Sequence, residues 1–135
     1  MTCGGLAWGV RSAGGKALIL VVDDEEDVRA LVREILRAAG YDTIPARNGE
    51  EALELLRARP EVDLVLTDVM MPGVDGPTLE RRIAGDWPGL PVLFMTGYPA
   101  ETLRALGILP PGEPPIQKPF PIRELVRKVR KALEA

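Results

Sequence analysis

Histidine is absent from this 135-residue chain, and cysteine occurs once, as Cys3. Without an imidazole the chain has no zinc-finger type of site, and any phosphotransfer that starts from a histidine must begin on another protein. A single cysteine excludes an internal disulfide framework and favours a reducing, cytoplasmic setting. These absences remove the commonest imidazole and thiol chemistries.

An excess of positive charge is missing as well. The chain has 17 basic and 20 acidic residues, a formal net charge of -3 and a pI of about 5.1. Because this balance gives no global basic field, we expect no binding of nucleic acid by this chain alone. No apolar run approaches the roughly 20 residues that span a bilayer, so we expect no membrane segment either.

The length fits one folded domain behind a short leader. Residues 1–16 are rich in glycine and have no continuous apolar stretch of the signal-peptide type, which predicts a flexible leader. Residues 17–135 are predicted to form the domain, since a chain of this size buries about two-thirds of its unfolded surface. Such a core needs no disulfide or structural metal.

Apolar runs of strand length recur along the domain, and each is followed by a helical pattern. The predicted strands are residues 17–22, 41–46, 62–67, 90–95 and 116–117. The first, third and fourth lack the alternation of a half-exposed strand, as expected when both faces are buried in a parallel sheet. Five β-α repeats predict an α/β fold with helices on both faces of that sheet. Periodicity alone leaves the strand order open.

The intervening segments place apolar residues at helical spacing. Leu31 in the first helix, Ala84 in the third and Ile122 in the last are among the positions expected to face inward. Gly40 is expected to close the first helix, and Asp75 to cap the third.

Polar residues follow four of the predicted strands. They are Asp23 and Asp24, Asp68, Thr96 and Lys118. Because the carboxyl ends of parallel strands share one edge of the sheet, these side chains should converge where open α/β sheets bind ligands. Two carboxylates about 4 Å apart repel by roughly 4 kcal/mol at an effective dielectric of 20, so the cluster needs positive charge.

Lys118 supplies one charge, and a divalent cation would supply the rest. Oxygen ligands favour Mg²⁺, or Mn²⁺, over zinc. A metal that keeps open positions recruits a phosphoryl group, which makes Asp68 a candidate nucleophile. Lys118 and the Thr96 hydroxyl are placed to hold the phosphoryl oxygens.

Each of these residues also has a purely structural interpretation. Asp23 and Asp24 suit the start of a helix, and Asp68 suits a loop cap. Thr96 before a glycine fits an ordinary turn, and Lys118 fits a solvated surface position. Their joint placement at strand ends favours the functional interpretation.

Four motifs in order resemble the response-regulator receiver domain of two-component signalling, from about residue 17 to the C-terminus. They are the acid pair in LILVVDDEEDVR, the acceptor in LVLTDVMMPGVDG, the threonine in VLFMTGY and the lysine in IQKPF. The resemblance implies a flavodoxin-like fold with strand order 2-1-3-4-5. It also implies a phosphoacceptor switch rather than a dedicated enzyme, with slow self-phosphorylation from small donors and autodephosphorylation.

The resemblance further implies the ligands and the donor. Asp24, Asp68 and the Met70 backbone carbonyl would hold Mg²⁺ directly, and Asp23 through water. Asp68 would take its phosphoryl group from a phosphohistidine on a histidine kinase or phosphotransfer protein. The downstream partner stays open, as does the choice between a stand-alone regulator and the receiver of a hybrid kinase.

The chain departs from the family pattern near its fifth strand. Three residues before Lys118 the family often has an aromatic side chain that rotates with the threonine, and here Pro115 stands in that position. A proline-rich run, residues 110–115, precedes the strand. Two other functions are alternatives: a haloacid-dehalogenase-type phosphohydrolase, which needs an acid where Met70 stands, and a phosphorylation-independent interaction module.

Overall fold

Strands and helices alternate along the chain. The computed structural model describes residues 16–108, 115–119 and 121–134. The elements in these ranges are β1 (Leu18–Val22), α1 (Glu26–Ala38), β2 (Asp42–Ala46), α2 (Gly49–Ala58), β3 (Leu64–Asp68), α3 (Gly76–Asp86), β4 (Val92–Thr96), α4 (Ala100–Ala105), β5 (Ile116–Gln117) and α5 (Ile122–Glu134). Of the predicted leader only Lys16 is described, so the boundary between leader and domain stays a prediction.

The strands form one parallel sheet in the order β2-β1-β3-β4-β5. This confirms the predicted flavodoxin-like α/β fold. The chain moves from β1 outward to β2 and then returns to the other side of β1 for β3, so the strand order reverses between β1 and β3. Asp23 follows β1 and Asp68 ends β3. Both acids therefore lie at the topological switch point, where such sheets bind their ligands.

Each face of the sheet carries its own apolar core, and β1 contributes to both. Leu18, Leu20 and Val22 face α2 and α3, whereas Ile19 and Val21 face α1 and α5. The helices complete the two cores with Leu53, Leu56, Leu79 and Ile83 on the first face and with Val32, Leu36, Leu125 and Val129 on the second. Strands buried on both faces confirm the interpretation of the unbroken apolar runs.

The helix ends follow local sequence signals. Gly40 has a φ of 101° just beyond α1, a left-handed conformation that glycine adopts without strain. Asp75 caps α3 by accepting a hydrogen bond from the Thr78 N–H at 2.8 Å. Both predictions are confirmed.

Gly76 allows α3 to begin against the end of β3. A Cβ atom at this position would lie 2.6 Å from the Asp68 carbonyl oxygen and 2.9 Å from the Val69 Cα. The Gly76 N–H donates to the Val69 carbonyl at 2.9 Å, which holds the two elements together. The absence of a side chain at Gly76 thus sets the path of the loop that follows Asp68.

Three predicted inward positions are wrong. Leu31 and Ile122 are 55% and 61% exposed, and Ala84 is exposed too. In α1 the fully buried positions are Val32 and Leu36, so Leu31 lies on the flank of the apolar stripe. Apolar spacing identified the helices but overestimated the width of the buried face.

The sheet ends in two short or interrupted edges. β2 contains Pro45, which has no N–H to donate to a ladder, and β5 has two residues. No helix in the described ranges is long and apolar enough to cross a membrane.

Candidate functional site

Two buried carboxylates lie side by side at the carboxyl ends of β1 and β3. Asp23 is fully buried and Asp68 is 7% exposed. Asp23 Oδ1 accepts a hydrogen bond from the Glu25 N–H at 2.9 Å, and the Asp23 N–H donates to the Ala46 carbonyl at 3.1 Å. The adjoining strands therefore fix the position of the first acid, while the start of α3 constrains the loop after the second.

Lys118 bridges the carboxylates from β5. Its Nζ lies 2.8 Å from Asp23 Oδ2, 3.3 Å from Asp68 Oδ2 and 3.9 Å from Glu25 Oε1. The lysine side chain is only 15% exposed, so these ion pairs are shielded from bulk water. The structure thus brings Asp23, Asp68 and Lys118 together at the strand ends, and their roles stay predictions.

The charges of these groups perturb one another. Burial raises the pKa of Asp68, and the charge of Asp23 raises it further, against the opposing effect of Lys118. For Lys118, burial alone would lower the pKa, but the hydrogen bond to Asp23 and the charge of Asp68 outweigh it and raise the pKa overall. The lysine is thus held as a cation, whereas the ionised Asp68 is costly without further positive charge.

A pocket of about 400 Å³ opens over the carboxylates. Its walls are Asp24, Glu25, Asp68, Met70, Gly97, Tyr98 and Lys118. One oxygen each from Asp23, Glu25 and Asp68 lies within 4.8 Å of the others. Three carboxylates against one ammonium leave an excess of negative charge on oxygen donors alone, which fits a hard divalent cation such as Mg²⁺.

Glu25 is the residue that sequence reasoning missed. Its place directly before α1 is typical of an acid that begins a helix, yet its carboxylate faces the pocket. Asp24 and Met70 line the same pocket, and their roles as ligands stay predictions. The only available signal for Glu25 was its place in a run of acids directly after β1.

Thr96 lies at the neighbouring strand end, but its hydroxyl is engaged elsewhere. The side chain is fully buried and is not part of the pocket lining. Thr96 Oγ1 accepts a hydrogen bond from the Tyr98 N–H at 3.0 Å, and the Lys118 N–H donates to the Thr96 carbonyl at 2.7 Å. The predicted contact between this hydroxyl and a phosphoryl group stays a prediction.

A doubly wound parallel sheet with a lysine-bridged acidic pocket at its switch point defines a flavodoxin-like domain with a candidate cation site at that edge of the sheet. The family model described as "Response regulator receiver domain" matches residues 19–130. The chain belongs to the response regulator receiver domain family.

Two curated relatives and one solved structure illustrate the family. The chain is 37% identical over 117 residues to the response regulator receiver protein CpdR of Brucella abortus (strain 2308), covering 87% of this chain and 97% of that protein. It is 38% identical over 128 residues to the sensor kinase CckA of the same organism, covering 89% of this chain but 13% of the kinase. A signal receiver domain of an HD domain-containing protein from Pseudomonas fluorescens Pf-5 superposes with a TM-score of 0.77 at 36% identity, covering 88% of this chain and 95% of that one.

These likenesses confirm the predicted family, fold and signalling function. The chain is a receiver domain of the kind found both in response regulators and in sensor kinases. Receiver domains are phosphoacceptor switches rather than dedicated enzymes, so the phosphohydrolase alternative is set aside.

Proposed function

We propose that Asp68 is the phosphoacceptor of this receiver domain and that Lys118 holds the incoming phosphoryl group. The observation that carries the proposal is the Lys118 bridge, with Nζ 2.8 Å from Asp23 and 3.3 Å from Asp68 in one pocket. An ammonium at this position lies where charge develops as a phosphoryl group reaches the carboxylate.

Mg²⁺, or Mn²⁺, is the proposed cofactor. Asp24, Asp68 and the Met70 carbonyl would ligate the ion, and Asp23 would reach it through water. Asp24, Asp68 and Met70 line one pocket, and the clustered carboxylates of Asp23, Glu25 and Asp68 give it an excess of negative charge, which supports a cation there. When bound, the ion supplies positive charge for the phosphoryl oxygens, which the single ammonium of Lys118 cannot balance alone.

The transfer itself needs little from the protein besides position. An Asp68 oxygen forms a bond to phosphorus as the bond between phosphorus and the leaving group breaks, and the leaving group of a phosphohistidine is its imidazole. Lys118 pairs with the phosphoryl oxygens. The Thr96 hydroxyl accepts from the Tyr98 N–H and so keeps its own O–H free to donate to one of those oxygens.

The donor is proposed to be the phosphohistidine of a histidine kinase or phosphotransfer protein, since the chain has no histidine of its own. An apolar groove beside the pocket supports a protein donor. Its lining includes the exposed Leu31 and Ile122, and it shares Gly97 and Lys118 with the acidic pocket. A donor seated there would present its imidazole next to Asp68.

Several further properties belong to the same proposal. Small donors are expected to phosphorylate the protein slowly, and the aspartyl phosphate is expected to hydrolyse without a partner. The single cysteine fits work in the reducing cytoplasm. No nucleic acid or membrane is required, and the downstream recipient is another protein.

The test is incubation with acetyl phosphate and Mg²⁺, followed by a phosphate-affinity gel. Wild type should gain one phosphate, and Asp68→Asn should gain none. Asp86→Asn, an exposed acid at the end of α3, is the matched control and should label like wild type. Equal labelling of Asp68→Asn and wild type would remove Asp68 as the acceptor.

A further inference from the structure

Gln117 joins the strand that carries Lys118 to the loop that follows Thr96. Its side-chain Nε2 donates to the Tyr98 carbonyl at 2.7 Å and lies 3.4 Å from the Thr96 carbonyl. β5 aligns with β4 through only two residues, Ile116 and Gln117. The amide therefore adds a link beyond the end of a very short ladder. The function proposed above makes no use of this side chain.

The same loop holds the Thr96 hydroxyl. The Tyr98 N–H donates to Thr96 Oγ1 at 3.0 Å. The backbone of Tyr98 is therefore hydrogen-bonded on both sides, with its N–H on Thr96 and its carbonyl on Gln117. Gly97 and Tyr98 form the pocket wall next to the buried threonine. Because Thr96 is fully buried and is not part of the pocket lining, we expect its hydroxyl to meet a phosphoryl group on Asp68 only when the segment 97–98 shifts.

The side chain of Pro115 cannot respond to such a shift by changing its rotamer. Its side chain is buried directly before β5, and a proline ring has no alternative χ1 rotamer of the aromatic kind. Gln117 is the register partner of Thr96 and is hydrogen-bonded to the segment 97–98 through the Tyr98 carbonyl. Among the described residues of β5, this side chain is placed to couple the threonine to the lysine strand.

We propose that Gln117 is a positioning residue that restrains the segment 97–98 in its resting position and thereby limits how readily Thr96 reaches the phosphoryl group on Asp68. This inference rests on the proposed function. Removing the donor should free the segment and raise the phosphorylation rate. The loss of one good and one long hydrogen bond predicts an increase of about threefold to tenfold.

The test compares Gln117→Met, which keeps the length of the side chain but has no donor, with wild type as full chains. Amide exchange measured by NMR without phosphate should show a severalfold loss of protection at the Tyr98 N–H. Labelling with acetyl phosphate and Mg²⁺ should be about threefold to tenfold faster. Arg123→Met, an exposed substitution in the first turn of α5, is the matched control and should change neither quantity.

A double variant separates positioning from a general loosening of the fold. In a Thr96→Ala background, Gln117→Met should no longer speed labelling, because no hydroxyl remains to be released. Equal acceleration with and without Thr96 would overturn the proposal. Unchanged exchange and an unchanged rate in Gln117→Met, beside a labelled wild type, would overturn it while leaving Asp68 as the acceptor. A wild type that takes no phosphate on Asp68 would remove both proposals.

Discussion

The two halves of the rim are held in different ways. The acidic half, Asp23 and Asp68, lies at the ends of β1 and β3, which pair directly within the centre of the sheet. The switch half, Thr96, Gln117 and Lys118, lies at the ends of β4 and the two-residue β5. The acids lie at the ends of strands that pair over four residues, as β4 also does with β3, whereas Gln117 and Lys118 depend on a two-residue ladder and a few bonds between side chains and loop backbone. The acidic half is therefore held by more of the sheet than β5, the strand that leads into Lys118.

Lys118→Met removes the ion pairs between the halves and should have the largest effect. We expect phosphorylation by acetyl phosphate to fall about 100-fold or more, because a charged donor aimed at the phosphoryl group is lost. Metal-free stability should also fall, since Asp23 and Asp68 lose their shared counter-ion.

Lys131→Met, on the exposed face of α5, is the control and should label like wild type. Added Mg²⁺ should raise the melting temperature of Lys118→Met more than that of wild type, because the ion replaces the lost charge. Labelling of Lys118→Met at the wild-type rate would show that the lysine takes no part in transfer.

Gly76→Ala challenges the rigidity of the acidic half. The new Cβ would lie 2.6 Å from the Asp68 carbonyl oxygen, so backbone must move. A cost of about 1–3 kcal/mol is typical of such overpacking, and the melting temperature should drop by several degrees with slower labelling of Asp68.

Gly85→Ala is the matched control, because it makes the same glycine-to-alanine substitution in α3 without the steric overlap. Nothing lies within 4 Å of a Cβ at Gly85, so this variant should be neutral or more stable by up to about 1 kcal/mol. Equal melting temperatures for the two alanine variants would mean that the close approach at Gly76 carries no strain.

Thr96→Ala should have a smaller effect, because it removes a single hydroxyl group from the switch half. Labelling should slow by about tenfold, the usual worth of a hydrogen bond to a charged group, and not cease. Thr96→Ser keeps the hydroxyl and should recover most of the rate in the same gel assay. A Thr96→Ala variant that labels as fast as wild type would restrict the threonine to a structural role.

Asp68→Asn should raise stability slightly in the absence of metal. The folded protein raises the pKa of this carboxyl mainly by burial, so the ionised form is less favourable in the folded than in the unfolded chain. The neutral amide removes that cost, and thermal unfolding near neutral pH should shift upward by roughly 2–4 °C.

The pH dependence of this stability difference shows whether the pKa of Asp68 is raised or lowered in the folded protein. As the pH falls through the raised folded pKa towards the unfolded value, the folded wild type takes up a proton first and gains stability relative to Asp68→Asn. The difference between the two melting temperatures should therefore shrink on acidification. A difference that grows instead would contradict a raised pKa for Asp68.

The acidic half was predictable from the sequence because unbroken apolar runs identify buried strands and parallel strands end together. Asp23, Asp68 and Lys118 follow from that rule without any knowledge of side-chain geometry. The run before β5 was predictable only as an irregular connection, and residues 109–114 lie outside those that the structure describes.

Three details of the structure could not be predicted from the sequence, each for a physical reason. The orientation of Glu25 depends on the turn into α1, which periodicity does not encode. The bond from the Gln117 amide to the Tyr98 carbonyl depends on register between two strands far apart in sequence. The exposure of Leu31 and Ile122 depends on how neighbouring helices pack, since apolar spacing defines a stripe but not its edges.

The edges of the sheet bear on how the folded protein behaves at high concentration. Strand edges with open backbone groups recruit other chains, and aggregation often starts there. Pro45 removes one donor from β2, and the two residues of β5 offer few groups on the opposite side. The most apolar strands, β1 and β3, lie inside the sheet. Self-association through added strands is thus disfavoured in the folded state, even though the core is built from apolar segments that would be prone to aggregate if exposed.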